Sequence, residues 1–483
     1  MNDKFQTIDF YQREKTNYQL LPFNFHVLKD DRLIFTNMVG EYYLGDRSLL
    51  NKLVSKQLDS QSKEYIDLRS KHFFYDDHND SAKELLSIKY KTKKASLSEF
   101  TSLHMFVVTL RCEHSCPYCQ VSRQTDDKLK FDMNEETASQ AIDFALLSPS
   151  KNLKFEFQGG EPLLNFSIIK FIVKEANKRK GDKNISFVIA TNLALINSEI
   201  LSFCEEHDIY ISTSLDGPKE IHNKNRPRPG KNSYEKTIDG IKLSQNKLGR
   251  DKISALMTTT EESLESVKEI IDEYVKNDLD GIFLRPLSPY GFAIKTKKII
   301  EYNNNKWIDF YKKGLDYIID INQRGQYFAE FYTSVILKKI FTFQDPGYVD
   351  LMSPSGIGIA AIIYNYDGNI FASDEGRMLF EMGDDQFLLG NLKTNTYKEV
   401  FLNSKLLDPI EESFSGSVPM CSDCAFENYC GADPTYHYSI FKDFIGRKPE
   451  SDFCNRNMTI IKHIFELMDS DVNIKKIFLS WIN

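Results

Sequence analysis

Three cysteines stand close together in the stretch Leu110-Arg-Cys-Glu-His-Ser-Cys-Pro-Tyr-Cys-Gln120. Cys112, Cys116 and Cys119 are separated by four and three positions, and they follow an apolar run that is typical of a strand. Three thiolates in such a short loop can hold three corners of an iron–sulfur cube and leave one iron open. An open iron is a chemical site, whereas a fully ligated cluster mainly carries electrons or braces a fold.

Structural zinc is the alternative for this loop, because Cys-x-x-Cys is common in zinc sites. The fourth ligand would then be His104, His114 or a distant cysteine. The spacing of the three cysteines leaves both possibilities open.

A second group of cysteines lies near the C-terminus, at positions 421, 424, 430 and 454. The two groups contain seven of the eight cysteines, which in a reducing compartment favours metal binding over disulfides. The chain starts without the apolar core and basic flank of a secretory signal, and no apolar stretch is long enough to cross a bilayer. We therefore expect a cytoplasmic protein that does not enter a membrane.

Composition limits the partners of this protein. The chain has 483 residues, 41% of them hydrophobic, which is enough for a large buried core. Asp and Glu number 69 against 61 Lys and Arg, so the formal net charge is −8. Phosphate binding draws on clustered Lys and Arg, and this balance therefore argues against a nucleic-acid partner.

Between residues 104 and 287, β-branched or aromatic runs alternate with amphipathic helical stretches. The predicted strands are His104–Leu110, Leu153–Gln158, Ile185–Asn192, Ile209–Leu215, Ile253–Thr259 and Gly281–Leu287. Asp132 and Glu135 resemble a capping box at the start of the first helix. These β-α units predict a parallel sheet, open or curled into a partial barrel.

Polar and glycine-rich residues follow every predicted strand at its carboxyl end. They are the three cysteines; Gly159, Gly160, Glu161 and Pro162; Thr191 and Asn192; Ser214, Asp216 and Gly217; Thr258 to Thr260; and Arg285. In β/α barrels the catalytic groups gather on that face because every β-α loop opens there. We therefore expect these residues to share one site.

The segments on either side of the barrel pattern differ from it. Residues 1–98 contain a predicted hairpin around Asn37–Gly40 and a following helix, which indicates a small α+β module. Residues 301–350 read as an aromatic-rich helical connector. Residues 351–483 hold a hairpin that turns at Asp367-Gly368 and the second cysteine group.

Several motifs resemble a known family. The cysteine loop after the first strand and Gly-Gly-Glu-Pro after the second resemble the radical S-adenosylmethionine (SAM) superfamily, which implies an α/β fold with a partial (β/α)6 TIM-like barrel over residues 99–300. The pair Cys421-x-x-Cys424, with Cys430 and Cys454, resembles the SPASM domain of its peptide-modifying branch, which implies a C-terminal iron–sulfur domain. Longer stretches, among them LRCEHSCPYCQVSRQ, FQGGEPLLNF and PMCSDCAFENYCGADP, resemble the B-type radical SAM maturase of the His-Xaa-Ser peptide system.

The resemblance implies a cofactor site at the first cysteine group. Cys112, Cys116 and Cys119 would bind a 4Fe-4S cluster whose fourth iron is chelated by the amine and carboxylate of SAM. Reduction would cleave SAM to a 5′-deoxyadenosyl radical that abstracts hydrogen from an unactivated C–H bond. Tyr118, between two ligands, would offer its backbone and ring to the adenine.

The same resemblance makes Gly159, Gly160, Glu161 and Pro162 the turn that receives the methionine ammonium, through its carbonyls and Glu161. Glycines suit this task because no side chain keeps the ligand away from the backbone. Taken alone, the same four residues would be an ordinary turn.

Asn192, Ser214 and Asp216 stand where relatives contact the ribose or carboxylate of SAM. The alternative is that these side chains are polar groups at strand ends that form hydrogen bonds with the loop backbone. Arg285 completes the cofactor-site candidates, either as the partner of a carboxylate or as a brace of the rim. Asp374 is the catalytic candidate, because sulfatase-maturing relatives have a proton-accepting Asp at the corresponding place; the alternative is a surface acid.

The C-terminal cysteines depart from the full SPASM pattern, in which two auxiliary 4Fe-4S clusters have interleaved ligands. Ser353-Pro-Ser-Gly356, Ser373 and Pro434 stand where relatives carry cysteines of the first auxiliary cluster. The retained thiols, which form the set for the second, are Cys421, Cys424, Cys430 and Cys454. The resemblance implies one auxiliary 4Fe-4S cluster, with zinc as the alternative because four thiolates also suit zinc.

The resulting expectation is an enzyme that cleaves SAM reductively and modifies a small ribosomal precursor peptide. The runner-up is an anaerobic sulfatase-maturing enzyme, which makes formylglycine from Cys or Ser, and the third reading is a non-catalytic iron–sulfur or zinc protein that binds a peptide. The implied partners are the precursor, a reductant such as flavodoxin or ferredoxin, and a companion maturase. Residues 1–98 loosely resemble winged-helix elements that hold leader peptides, often as a strand added to a sheet edge.

Overall fold

A computed structural model describes residues 18–76, 81–121, 123–291, 302–342 and 344–482 of the chain. These residues form a mixed α/β fold around one large sheet, with a small N-terminal module packed against the C-terminal segment. No helix among them is both long and apolar enough to pass through a lipid bilayer.

The N-terminal module combines short strands with helices. Its elements are β1 (Tyr18–Leu20), β2 (Phe23–Val27), β3 (Arg32–Asn37), β4 (Tyr42–Asp46), α1 (Arg47–Val54), α2 (Lys63–Ser70), β5 (Phe74–Asp76) and α3 (Ser81–Lys94). Strands β2, β3 and β4 form an antiparallel sheet in that order, and β1 pairs with β5. The hairpin predicted around residues 37–40 is present as β3 and β4.

The barrel segment alternates strands and helices as the sequence predicts. Its elements are β6 (Leu103–Thr109), α4 (Lys128–Phe131), α5 (Glu135–Leu146), β7 (Asn152–Gly159), α6 (Phe166–Arg179), β8 (Asn184–Ala190), α7 (Ser198–Glu206), β9 (Tyr210–Ser214), α8 (Lys219–Asn225), α9 (Ser233–Leu248), β10 (Ile253–Leu256), α10 (Val267–Lys276) and β11 (Gly281–Ile282). Strands β6 to β10 pair in parallel in chain order. Phe155 and Phe157 of β7 share one buried cluster with apolar residues of α5 and α6, which fixes the helices on the outer face of the sheet.

The C-terminal segment is mainly helical with a small set of strands. Its elements are α11 (Asn304–Gln323), β12 (Ala329–Glu330), α12 (Phe331–Phe341), β13 (Ala361–Tyr364), β14 (Asn369–Phe371), α13 (Asp374–Glu381), β15 (Leu388–Asn391), α14 (Tyr397–Phe401), α15 (Ser404–Glu412), α16 (Pro434–Phe441), α17 (Asp452–Ser470) and α18 (Val472–Ser480). Short 3₁₀ helices lie at Ala95–Glu99, Pro162–Asn165, Arg250–Lys252, Glu261–Ser263, Val349–Leu351, Glu427–Tyr429 and Lys448–Glu450. The hairpin predicted at Asp367-Gly368 is present as β13 and β14.

The C-terminal hairpin continues the barrel sheet. Strand β13 pairs in parallel with β6, so the sheet runs β10-β9-β8-β7-β6-β13-β14-β15 within the described residues. The segment that carries Asp374 is therefore hydrogen-bonded to the strand that leads into the cysteine loop. Residues more than two hundred positions apart in the chain can thus line one site.

The predicted sixth strand is much shorter than expected. It ends at Ile282 instead of Leu287, and it pairs in parallel with β12 in a separate small sheet instead of with β10. Pro286 and Pro289 follow, and proline has no amide hydrogen to give to a ladder. The backbone still approaches the barrel here, since Thr259 N donates to Arg285 O at 3.0 Å.

The helix after the first strand also begins differently from the prediction. Asn134, instead of Asp132, caps α5 by accepting a hydrogen bond from Thr137 N at 2.9 Å. Asp132 instead accepts a hydrogen bond from Arg111, the residue before the first cysteine of the loop. The acidic residue that looked like a helix cap is therefore part of the site's support.

The N-terminal module contacts the C-terminal cysteine segment directly. Thr36 Oγ1 donates to Ala425 O at 2.7 Å, and Tyr429 Oη donates to Gly40 O at 2.8 Å. Asn24 Nδ2 donates to Ser422 O at 3.0 Å. These hydrogen bonds place β2 and β3 beside the loop that holds the second cysteine group.

Candidate active site

The cysteine loop leaves the sheet at the carboxyl end of β6, and Cys112, Cys116 and Cys119 are half-buried in it. Arg111, which is 2% exposed, anchors the root of the loop. Its guanidinium donates to the two carboxylate oxygens of Asp132 at 2.7 and 2.8 Å and to Leu164 O at 2.9 Å. A bidentate pair of this kind fixes orientation as well as distance, so the loop starts from a defined position.

Gly159 and Gly160 bring the end of β7 against the start of that loop. A Cβ at Gly159 would lie 1.9 Å from Thr109 O, and one at Gly160 would lie 2.1 Å from Arg111 O. The φ angle of Gly159 is +143°, which favours glycine. Gly160 N donates to Thr109 O and Glu161 N to Arg111 O, each at 2.8 Å. The contact between two protein segments therefore requires the glycines, in addition to the ligand contact that the resemblance implies.

Tyr118 is tied into the protein between the second and third cysteines. Its hydroxyl donates to Asp216 Oδ2 at 2.5 Å, and the guanidinium of Arg226 lies 5.4 Å from its ring centroid. Arg226 Nε is 3.1 Å from the same Asp216 oxygen, and Thr258 N donates to the other at 3.2 Å. Asp216 is fully buried and has all of these partners inside the protein. It holds the cysteine loop against the end of β9.

Glu161 is likewise turned into the protein. It is fully buried, and its carboxylate accepts hydrogen bonds from Thr191 Oγ1 at 2.6 Å, Asn192 N at 2.8 Å and Leu163 N at 3.0 Å. Burial raises the pKa of Glu161 to about 8, and the charge of Glu113 adds to the rise. The side chain braces the ends of β7 and β8 against each other.

Asn192 connects the end of β8 to the cysteine loop. Its Nδ2 lies 2.9 Å from Glu113 Oε1 and 3.0 Å from His114 Nδ1. The other ring nitrogen of His114 lies 2.8 Å from Ser233 Oγ. Both nitrogens of His114 are thus engaged. His104 is fully buried on β6, and its Nδ1 lies 2.9 Å from Tyr364 Oη.

A cavity of about 310 Å³ lies beside the cysteine loop and brings most of the candidate residues together. Its lining includes Cys112, Cys116, Tyr118, Cys119, Gly159, Gly160, Asn192, Ser214, Arg285 and Asp374. Glu161, Pro162 and Asp216 are buried in the wall behind it. Most of the strand-end residues therefore line one cavity. Those that do not are Glu161, Pro162, Asp216, Gly217, Thr259 and Thr260.

Asp374 faces this cavity from the first turn of α13. Ser373 caps the helix, and Arg377 Nε donates to Asp374 Oδ1 at 3.0 Å. The Asp374 side chain is 17% exposed, and Oδ2 accepts no hydrogen bond from the described residues. That oxygen is available to a ligand or a proton.

Glu156 is a cavity residue that the sequence analysis missed. It lies on β7 two positions before Gln158, and both face the cavity while Phe155 and Phe157 face the helices. Burial raises the pKa of Glu156 to about 7, and the nearby Asp374 adds to the rise. The sequence did contain a signal for this residue, because Glu156 is an acid between the apolar residues Phe155 and Phe157 of one predicted strand. Arg226 was also missed, since it lies in a loop without a motif.

The second cysteine group is assembled from three places. Cys421 and Cys424 lie in the loop after α15, Cys430 follows a 3₁₀ helix, and Cys454 is in the first turn of α17. All four are half-buried. Burial raises the pKa of Cys430 to about 12 and that of Cys424 to about 11, and the neighbouring thiols add to the rise. As free thiols they would keep their protons, so metal binding would have to displace them.

The sulfurs of each cysteine group are too far apart in this structure for three of them to contact one metal ion. Within the part of the chain that the structure describes, Cys112, Glu113 and His114 are the one trio whose ligand atoms lie within 4.8 Å of one another. Tetrahedral zinc, with bonds of about 2.3 Å, holds its sulfurs about 3.8 Å apart. Among the described residues, no three sulfurs of either group lie within 4.8 Å of one another.

The positions that depart from the SPASM pattern have structural roles here. Ser353 Oγ accepts a hydrogen bond from Ser415 N at 3.0 Å, Ser373 caps α13, and Pro434 is the first residue of α16. Pro434 suits that position because its missing amide hydrogen is not needed there.

Comparison with known proteins identifies the barrel. Residues 106–274 match the radical SAM superfamily model. An uncharacterized protein of Methanocaldococcus jannaschii is 38% identical over 135 residues, which are 28% of this chain and 44% of that protein, so the match spans less than half of this relative. A cysteine-type anaerobic sulfatase-maturating enzyme of Clostridium perfringens is 24% identical over 335 residues, covering 66% of this chain and 84% of the relative.

Solved structures support the same fold. The structure of anSMEcpe with bound AdoMet superposes with a TM-score of 0.64 at 19% identity, covering 79% of this chain and 99% of that one. Streptococcus suis SuiB bound to its precursor peptide SuiA gives a TM-score of 0.54 at 15% identity, covering 90% and 99%. The protein has the radical SAM fold, and its barrel segment matches the radical SAM superfamily over residues 106–274. The predicted fold class is thereby confirmed.

Replacing Gly160 by Ala should destabilise the site. The added Cβ would meet Arg111 O and force the ends of β6 and β7 apart, at a cost of about 2–3 kcal/mol typical of overpacking. Urea unfolding of the purified protein measures this cost.

Gly181→Asn is the matched control for this substitution. A Cβ added at Gly181 would have no atom within 4 Å, and Asn tolerates the φ angle of +57° at this position. The free energy of unfolding of this variant should therefore remain within about 0.5 kcal/mol of wild type. Equal unfolding midpoints for Gly160→Ala and the control would show that the two strand ends do not need their close contact.

Proposed function

We propose that this protein is a radical SAM enzyme that modifies a ribosomally synthesised peptide of the His-Xaa-Ser type. Cys112, Cys116 and Cys119 would hold a 4Fe-4S cluster that binds SAM, and Cys421, Cys424, Cys430 and Cys454 would hold one auxiliary 4Fe-4S cluster. When bound, the first cluster and SAM would supply a 5′-deoxyadenosyl radical for hydrogen abstraction.

One observation carries this proposal: the three half-buried thiols of one short loop lie together at a cavity of about 310 Å³. His104 and His114 are both held by other residues. A metal group placed there would keep one position for a small molecule, as catalytic sites do. The cavity provides the room for that molecule and for part of a substrate.

The residues around the cavity would divide the remaining work. The backbone of Gly159 and Gly160 and the side chains of Asn192 and Ser214 offer polar groups along one wall, where they would bind SAM. Arg285 would hold a carboxylate or a substrate carbonyl. Asp374 Oδ2 would accept the proton that the substrate loses during oxidation.

The auxiliary site would serve electron transfer or structural support, because four protein ligands leave no open iron. Its position beside β2 and β3 links it to the N-terminal module.

We infer that this module holds the precursor peptide, since β2 pairs only with β3 and its other edge has no strand partner in the described chain. Unchanged precursor affinity of a Phe25→Asp variant on β2 would contradict this role. A flavodoxin or ferredoxin as reductant and a companion maturase complete the proposed partners.

A sulfatase-maturing activity is the second candidate. The observation that favours it is the similarity to the Clostridium perfringens enzyme over 335 residues. Such an enzyme would convert Cys or Ser of a sulfatase peptide to formylglycine. Because oxidation of Ser to formylglycine and formation of a crosslink both remove two hydrogens, the position of the modified residue distinguishes the two activities.

Iron analysis tests the cofactor assignment. After anaerobic reconstitution we expect about eight irons and eight sulfides per chain, because two four-iron clusters are proposed. Cys424→Ala should lose about four of each, and Cys204→Ala, buried within α7, should lose none. A content near about twelve irons would show that a third cluster is present, and zinc in place of iron at the second group would remove the auxiliary cluster.

Mass spectrometry of a co-expressed precursor tests the reaction. A peptide with His-Xaa-Ser repeats should gain a mass change that tandem spectra place within the repeats, and Cys116→Ala should abolish it. An unmodified precursor together with formylglycine on a co-expressed sulfatase peptide would support the second candidate and overturn the first.

Asp374→Asn should separate peptide oxidation from SAM cleavage. Loss of a proton acceptor should lower the rate of peptide modification by about 10²–10⁴, while 5′-deoxyadenosine still forms at the wild-type rate. Both products are measured by liquid chromatography with mass detection. Asp408→Asn, at an exposed position of α15, is the control and should behave as wild type. Normal modification by Asp374→Asn would exclude Asp374 from the mechanism.

A further inference from the structure

A second, more enclosed cavity of about 70 Å³ lies next to the main one. Arg285 lines both cavities. Asp374 and Glu375, which are neighbours in the first turn of α13, line the main and the second cavity respectively. Since a water molecule needs about 10–15 Å³ on this scale, the second cavity has room for about five non-hydrogen atoms. That is the size of one side-chain head group.

The charges around this second cavity do not balance. Asp350, Glu375 and Asp433 face it, and we call this space the acidic pocket. Arg285 and Arg456 face the same space, so one negative charge is left over when all five groups are ionised. Burial of uncompensated charge is costly, and a guest with one positive charge would remove that cost.

The titration behaviour of the carboxyls agrees with this imbalance. Burial raises the pKa of Glu375 to about 7, and the charges of Asp350 and Asp374 add to the rise. Burial also raises the pKa of Asp350, although Arg285 opposes the change. Burial likewise raises the pKa of Asp433. Burial and mutual repulsion thus favour the protonated carboxyls, and a cation in the pocket would favour the ionised ones.

An unpartnered donor indicates independently that a polar guest belongs here. Trp307 is 2% exposed and lines the acidic pocket, yet its indole N–H has no hydrogen-bond partner among the described residues. Buried donors are paired in the great majority of cases. A Lys or Arg head group has no acceptor of its own, so the backbone carbonyl of the guest residue or a water molecule would accept this hydrogen bond.

The walls of the acidic pocket are aromatic. They include Phe283, Trp307, Tyr332, Tyr348, Tyr436 and Phe453. The faces of such rings attract cations, and ring contacts combined with carboxylates are a usual way to bind organic cations. A divalent metal ion fits less well, because two guanidiniums would repel it and the three carboxylates do not meet the ligand spacing seen at residues 112–114.

The acidic pocket lies where this chain departs from the SPASM pattern. Asp350 is three positions before Ser353, Glu375 is two positions after Ser373, and Asp433 directly precedes Pro434. The segments that would carry cysteines of a further cluster thus carry the pocket's carboxylates instead.

We propose that the acidic pocket binds the cationic head group of a basic side chain, Lys or Arg, in the substrate peptide. The identity of the guest as part of a peptide rests on the proposed function, but binding of the head group does not. Because Arg285 lies between the pocket and the main cavity, a residue held there would position its neighbours in the peptide beside Asp374. The acidic pocket would therefore select which residue of the substrate reacts.

Binding of small probes to the full-length, reconstituted protein tests this proposal. Saturation-transfer NMR titrations would use N-acetyl-arginine amide and N-acetyl-lysine amide, with N-acetyl-norleucine amide and N-acetyl-glutamate amide for comparison. We expect at least one cationic probe to bind at least about tenfold more tightly than the neutral and acidic ones. Glu375→Gln and Asp350→Asn, which keep shape but remove charge, should each weaken it at least about tenfold.

Asp385→Asn changes an exposed carboxylate of the C-terminal segment that does not line the acidic pocket. It is the control and should bind the probes like wild type. Circular dichroism of each variant verifies folding. Equal affinity for the norleucine and cationic probes, no loss in either pocket variant, or no binding of the cationic probes at millimolar concentration would overturn the proposal. The titrations contain neither SAM nor reductant, so their outcome is independent of the test of radical chemistry.

Discussion

The backbone contact between Gly159-Gly160 and the carbonyls of Thr109 and Arg111 is the constraint on which the candidate active site depends. Because neither glycine has a Cβ, the carboxyl ends of β6 and β7 meet directly. The cysteine loop begins at this contact and is held there by the ion pair between Arg111 and Asp132. The positions of the three thiols relative to the barrel follow from these two interactions.

Charged groups around the cavity act in two ways. Glu161 and Asp216 are fully buried, and their carboxylate oxygens contact backbone amides, hydroxyls and Arg226. These contacts fix the loops that form the walls of the cavity. Glu156 and Asp374 face the cavity instead, and the charge of Asp374 contributes to the raised pKa of Glu156. Carboxyl groups therefore line both the main cavity and the acidic pocket, and Arg285 borders the two.

The sequence was sufficient for the parts of the structure that local patterns determine. Cysteine spacing, strand runs and the turn at Asp367-Gly368 predicted the barrel, the loop and the hairpin. The sequence could not predict the direction of side chains. Whether Glu161 or Asp216 faces a ligand or the protein depends on partners from distant loops. The pairing of β13 with β6 joins segments more than two hundred residues apart, and no local signal encodes it. Glu156 escaped notice since one acid in a strand has no motif.

Formation of 5′-deoxyadenosine from SAM, after anaerobic reconstitution and chemical reduction, tests the central claim most directly. We expect the wild-type protein and Cys204→Ala to form 5′-deoxyadenosine and Cys116→Ala to form none. The reason is that Cys116, unlike Cys204, belongs to the set of ligands for the cluster that would bind SAM. An iron-loaded wild-type protein that forms no 5′-deoxyadenosine, or a Cys116→Ala variant that forms it at the wild-type rate, would contradict the assignment of the radical site to this loop.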